Sequence, residues 1–207
     1  MVSDTLAACV LIDYQNIHLT AWDLYPPHGV PVKEALIDPL AFAERVLQVR
    51  AARQQPHQKT LTLAKVCVYR GAPSNAKEPV LYSVSQRQRA AWTRDARVCV
   101  TYRTLRYPSD WGKPSRFDRP REKGIDVMIA LELVQQAQSG PYNVVILASH
   151  DTDMEPALEM AARVGRVKVE TAGWDGSRRL KIPGRNLWHT TLSARDFVLV
   201  KDRRNYG

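Results

Sequence analysis

Apolar residues in this chain follow two rhythms. Unbroken runs such as Ala8-Cys9-Val10-Leu11-Ile12 and Val144-Val145-Ile146-Leu147-Ala148 alternate with stretches where apolar residues return every three or four positions. Runs of the first kind predict strands buried on both faces of a parallel sheet, and the second kind predicts the helices that cover it. A strand is expected over about 7–12. A helix follows from Asp38-Pro39, an N-cap with proline in the first helical position, and its apolar face is Leu40, Ala43, Val46 and Leu47. A strand over 64–69 is broken by Gly71-Ala72-Pro73-Ser74. Next comes a helix from about Val80 to Asp95, with Gln86, Arg87, Gln88, Arg89 and Arg94 on its exposed side, and then a strand over 98–102.

Residues 105–122 carry three prolines and no periodicity, so they read as a long loop. Gly124 to Gln138 predicts a helix with Val127, Ala130, Leu131 and Val134 facing inward, followed by a strand over 143–148. Thr152-Asp153-Met154-Glu155 has capping-box spacing and opens a helix that stops at Gly165. A strand over 167–171 precedes an irregular tail from Trp174, with a short amphipathic piece near 192–200. Strand–helix alternation predicts an α/β fold with a mainly parallel central sheet flanked by helices. Without an internal repeat or linker, residues 1–207 read as one domain. Its core is about 7–172, with a loop at 105–122 and an extension at 173–207.

Composition narrows the class. At 207 residues and 44% hydrophobic, the chain can build one substantial core. No stretch approaches the roughly 20 apolar residues of a membrane span. The start, Met1-Val2-Ser3-Asp4-Thr5-Leu6, lacks the basic opening of a signal peptide, so a cytoplasmic protein is expected. Cys9, Cys67 and Cys99 sit in strand-like runs without CxxC spacing and read as buried free thiols. Thirty Lys and Arg against 21 Asp and Glu give a formal charge of +9, which suits a polyanionic partner or simply solubility.

Against that basic background, acids stand at two strand ends. Asp13 closes the first strand and Asn16 follows one turn later; the pair supplies a hard metal ligand and a phosphate- or water-orienting amide, or only a helix cap. Asp126, in Lys123-Gly124-Ile125-Asp126, is either a second metal ligand or a favourable charge at a helix start. Lys123 would contact a substrate phosphate. Ser149-His150-Asp151-Thr152-Asp153 directly follows an apolar strand. Capping accounts for Thr152, Glu155 and in part Asp153, but leaves Asp151 unexplained. Ser149 and His150 are candidate substrate contacts, though a loop histidine is more often surface decoration. Glu132, six residues beyond Asp126, falls on another helix face. In parallel sheets the crevice beyond the strand ends is where sites form. Carboxylates gathered there suit Mg²⁺ or Mn²⁺ and phosphodiester hydrolysis.

Other chemistries lack their grammar. No GxxxxGK, GxGxxG or G-x-S-x-G is present. An aspartyl nucleophile of the haloacid dehalogenase type would want a second Asp where Gln15 stands.

Leu11-Ile12-Asp13-Tyr14-Gln15-Asn16, Lys123-Gly124-Ile125-Asp126-Val127 and Val145 through Asp153, followed by Pro156, resemble in order and spacing the NYN domain family. This is a branch of the PIN-like nuclease superfamily that includes LabA-like proteins. The resemblance spans about 7–172. It implies a Rossmann-like PIN fold and a metal-dependent ribonuclease site, with Asp13, Asn16, Asp126, Asp151 and Asp153 as catalytic residues. Asp13, Asp126, Asp151 and Asp153 would be the ligands of Mg²⁺ or Mn²⁺, and the products a 5′-phosphate and a 3′-hydroxyl. The family usually has glycine at His150, an aromatic at Met154 and often Asp at Glu132.

Arg106, Lys113, Arg116, Arg119 and Arg121 interleave with Tyr107, Trp111 and Phe117, as expected where cations follow a backbone and aromatics stack on unpaired bases. The tail repeats this with Arg178, Arg179, Lys181 and Arg185 between Trp174 and Trp188. Single-stranded or looped RNA is the expected partner, with no membrane. The same aromatics can instead pack the loops down or form a homodimer interface. A flap-type DNA nuclease and a non-catalytic RNA-binding module remain open alternatives.

Overall fold

The computed structural model describes residues 5–55, 58–112 and 119–207. Six strands form one sheet in the order β3-β2-β1-β4-β5-β6: β1 (Thr5–Asp13), β2 (Thr60–Ala72), β3 (Val98–Thr104), β4 (Val144–Ala148), β5 (Lys168–Trp174) and β6 (His189–Leu192). Every neighbouring pair is parallel. From β1 the chain builds outward to β3, then crosses back to lay β4 on the other side of β1. The strand ends of β1 and β4 therefore border the crevice where the order reverses, which is where open α/β sheets bind ligands.

Alternation along β1 fixes which side chains face which layer. Ala8, Val10 and Ile12 join the core beneath α1 (Tyr14–Leu24), α2 (Pro39–Ala51) and α6 (Ala194–Val200). Cys9 and Leu11 face α4 (Ile125–Ser139) and α5 (Glu155–Val164). The next odd position is Asp13, so the period that buries Cys9 and Leu11 aims Asp13 toward α4. In β4, Val145 and Leu147 set the same phase for Ser149.

Several sequence expectations are corrected. Helix α1 was not foreseen; Tyr14, Ile17, His18 and Ala21 are its buried side. On α3 (Pro79–Trp92), Gln88 is 4% exposed and accepts a 2.8 Å hydrogen bond from Arg70, so it is not a surface residue. On α4 the inward face is Ile125, Ile129, Leu133 and Ala137, while Val127 and Leu131 are 55% and 67% exposed. Strand β2 runs through Gly71-Ala72 instead of breaking there.

The tail is part of the sheet. Trp174 ends β5 fully buried and donates to the Ile17 carbonyl at 2.8 Å. Strand β6 pairs with β5, and Asp202 accepts from Trp92 and Tyr206 at 2.8 and 2.7 Å. Among the described residues no helix is long and apolar enough to cross a membrane.

Candidate active site

Asp13 ends β1 and caps α1, accepting a long 3.5 Å hydrogen bond from the Asn16 amide. Its other oxygen accepts from Ser149 Oγ at 3.0 Å, and that hydroxyl in turn accepts from the Asp151 amide at 3.1 Å. Ser149 is buried, so it clamps Asp13 to the β4 turn instead of presenting itself to substrate. Asn16 adds a second clamp: its Oδ1 accepts from the His150 amide at 2.8 Å, which leaves the amide nitrogen for the cavity. These two links join the ends of β1 and β4 across the crevice.

A cavity of about 560 Å³ opens there, lined by Asp13, Gln15, Asn16, Leu19, Thr20, Glu122, Lys123, Gly124, Ile125, Asp126 and Asp151. It brings together Asp13, Asn16, Lys123, Asp126 and Asp151. It adds one acid that sequence reasoning passed over, Glu122. Gly71 at the end of β2 donates its amide to Glu122 Oε1. A Cβ on Gly71 would stand 2.4 Å from Leu105 and 2.7 Å from the Glu122 side chain, so only glycine lets this carboxylate reach the strand. Gly124, with φ +77°, turns the chain from Glu122-Lys123 into α4 and sets Asp126 in its first turn.

Electrostatics single out Asp13. It is 7% exposed, and its carboxyl is pushed up to about 7, chiefly by burial and further by the charges of Glu122 and Asp151; the Ser149 and Asn16 hydrogen bonds oppose the rise. Burial also raises Glu122, with Asp126 contributing. Four acids thus line one cavity within a chain of net charge +9.

Other predicted residues lie elsewhere. The Asp153 side chain is exposed and does not line the cavity. Thr152–Met154 is a 3-10 turn whose cap is Asp151, accepting from the Asp153 amide at 3.0 Å. The expected capping box is absent: Asp151, not Thr152, is the cap, and Glu155 accepts from the Lys181 amide at 3.0 Å. Capping thus does account for one oxygen of Asp151, which still borders the cavity.

His150 turns its ring away from the cavity. Nε2 accepts from the Trp174 amide at 3.2 Å, and Nδ1 lies 2.9 Å from the Arg178 carbonyl, so the neutral ring pins the segment after β5. Burial lowers its pKa, consistent with a neutral structural histidine. Glu132 is held by Gln136 at 2.8 Å outside the cavity.

The loop is pinned at its base by an antiparallel bridge between Arg106 and Arg121. A second cavity of about 450 Å³ adjoins the first through Glu122 and Lys123 and is lined by Arg106, Tyr107, Pro108, Ser109, Arg119 and Arg121. Trp111 lines neither cavity; it packs edge-on against Tyr107 with ring centroids 5.2 Å apart. Arg116 lies outside the described residues.

Among the described residues no group of three or more His, Cys, Asp or Glu side chains is placed to hold a metal ion. The chemistry of the cavity's acids, oxygen donors throughout, is nevertheless of the kind that Mg²⁺ or Mn²⁺ takes. Such ions take oxygen ligands, keep several waters and need only one or two carboxylates beside substrate phosphates. Here four carboxylates share one open cavity.

The NYN domain family profile matches residues 7–181. No curated protein matches the chain. A crystal structure of a protein of unknown function from Vibrio parahaemolyticus is similar, with 17% identity, a TM-score of 0.50, and 86% of this chain and 88% of that chain covered. That likeness concerns the fold alone.

Proposed function

Because the chain belongs to the NYN domain family, a branch of the PIN-like nuclease superfamily, we propose that its cavity is a ribonuclease site hydrolysing RNA phosphodiester bonds internally with Mg²⁺ or Mn²⁺. One observation carries this reading. Carboxylates from three separate parts of the sequence, Asp13, Glu122 with Asp126, and Asp151, meet at the sheet's reversal point in a strongly basic chain.

Asp13, Asp126 and Asp151 would hold the cation, with Glu122 as the fourth carboxylate of the wall. When bound, the ion neutralises charge on the phosphoryl oxygens and makes a water easier to deprotonate. The chain's own groups do the positioning. Ser149 and the Asn16 amide fix the two oxygens of Asp13. The Asn16 carboxamide, held by the His150 amide, turns its donor end to a phosphate oxygen or the attacking water. Lys123 stands where both cavities meet and would pair with a substrate phosphate.

Arg106, Arg119 and Arg121 continue that cationic edge along the second cavity, a path suited to one strand's backbone. Replacing Arg119 and Arg121 together with alanine should weaken RNA binding and lower the slope of log Kd against log salt by about 0.7 per lost phosphate contact. An unchanged slope would remove this edge from the substrate path.

Digestion of matched RNA and DNA oligonucleotides tests the assignment of substrate. Cleavage of single-stranded RNA with DNA left intact is expected. Cleavage of DNA flaps with RNA untouched would instead make this a structure-specific DNA nuclease.

A further inference from the structure

The face of the sheet under α4 holds three thiols that the proposed chemistry does not use. Cys67 on β2 and Cys99 on β3 are direct register partners, and their sulfurs are 3.2 Å apart. Cys67 is 5% exposed, whereas Cys99 is half-buried. Cys9 is fully buried on β1 and sits opposite Lys65; Cys67 is opposite Leu11, two residues further along. Neighbouring strands lie about 4.8 Å apart, inside the roughly 4.4–6.8 Å between Cα atoms that a disulfide spans. The register therefore brings Cys67 and Cys99 together without backbone movement; Cys9, two residues out of register, still touches Cys67 but is fully buried, away from any solute.

We propose that Cys67 and Cys99 are a site of reversible covalent modification, at which a hydroperoxide links β2 to β3 through a disulfide. Cys99, the more accessible thiol, attacks the peroxide; the O–O bond breaks, one water leaves and a sulfenic acid remains. Cys67 Sγ then attacks Cys99 Sγ. The S–S bond forms, the S–O bond breaks, and the hydroxyl leaves with the Cys67 proton as a second water. Two thiols lose two electrons and two protons, and one hydrogen peroxide becomes two waters.

The hydrogen bond to Cys67, followed by burial, raises the Cys99 thiol; a hydrogen bond with Cys9, above all, pushes Cys67 up to about 12 against the opposing contact with Cys99. Little thiolate forms at neutral pH, so the first step is slow. The second gains from sulfurs already in contact.

The test uses the full-length protein, kept folded as judged by circular dichroism and treated with excess hydrogen peroxide. Remaining thiols are then alkylated in denaturant and the peptides mapped by mass spectrometry. The expected result is a peptide linked through Cys67 and Cys99, one alkylatable thiol at Cys9 instead of three, and full recovery with dithiothreitol. In Cys99→Ser, Cys9 and Cys67 should both stay reduced under the same treatment. Three alkylatable thiols in the treated parent would overturn the proposal. So would a Cys9–Cys67 link, a link between molecules, or over-oxidised Cys99 beside reduced Cys67. No outcome depends on RNA cleavage, so the result stands apart from the proposed nuclease function.

Discussion

Asp13→Asn should melt above the parent protein at pH 8 in EDTA and should cut RNA at least about 10³-fold more slowly with Mn²⁺ present. Both effects come from one buried carboxyl whose folded pKa is about 7 instead of 3.8. An acid with a raised folded value keeps its proton better folded than unfolded. Between about pH 4 and 7 the unfolded chain ionises while folded Asp13 does not, so stability falls as pH rises through that window. Above pH 7 the whole cost is present, on the order of 4 kcal/mol. Asparagine keeps the shape and removes that cost along with the charge a cation needs.

If Asp13 is a ligand as proposed, cation binding must also displace this proton. The Mn²⁺ concentration giving half-maximal cleavage should therefore rise about tenfold for each pH unit below 7. Parallel melting curves at pH 5 and pH 8 check the stability arm, and a pH series of Mn²⁺ titrations checks the other. A variant that melts lower than its parent at pH 8, or retains full cleavage, would show that Asp13 is an ordinary cap.

The second large effect lies away from the cavity. Arg50 on α2 and Glu170 on β5 are 5% and 0% exposed and share hydrogen bonds of 2.6 and 2.8 Å. The Arg50 guanidinium also lies 5.1 Å from the centre of the Trp188 ring, which joins the tail to this cluster. Arg50→Met would leave Glu170 buried with only half-exposed Lys168, at 2.9 Å, as a counter-charge. Losing one partner of a buried pair costs about 3–5 kcal/mol, and with the Lys168 contact retained the loss should be near 3. For a chain of this length that lowers Tm by roughly 6–12 °C. Pairing Arg50→Met with Glu170→Leu should recover most of it, because no unpaired charge remains. Urea unfolding of the two variants measures this, while RNA cleavage per folded molecule should hold. A loss below about 1 kcal/mol for Arg50→Met would mean that the pair contributes little.

These two sites show what the residues make legible. Asp13 and Asp151 could be found because each directly follows an unbroken apolar run, and a parallel sheet puts such ends together. Glu122 could not be placed: its position depends on an amide of Gly71, fifty-one residues earlier in the chain. The only local signal was its place in Glu122-Lys123-Gly124-Ile125-Asp126. The facing of α4 was misread because nearly every residue from Ile125 to Val134 is apolar, so periodicity cannot phase it. Exposed Val127 and Leu131 are the result.

Helix α1 did have buried residues at Tyr14, Ile17, His18 and Ala21, the spacing of a helical face. Asn16, within that stretch, reads as chemistry or a cap instead. Strand β6 is His189-Thr190-Thr191-Leu192, with hydroxyls where apolar side chains would announce a strand. His150 looked like a phosphate contact because the ring's partners, Trp174 and Arg178, come from a tail that has no periodicity.

The most direct test is to incubate the purified protein with a single-stranded RNA oligonucleotide in Mn²⁺, and in parallel with excess EDTA. The account predicts internal cuts bearing 5′-phosphate ends in Mn²⁺, no cuts in EDTA, and restored cutting when Mn²⁺ is added back. Equal cutting in EDTA, or binding without cleavage across divalent cations, would contradict it.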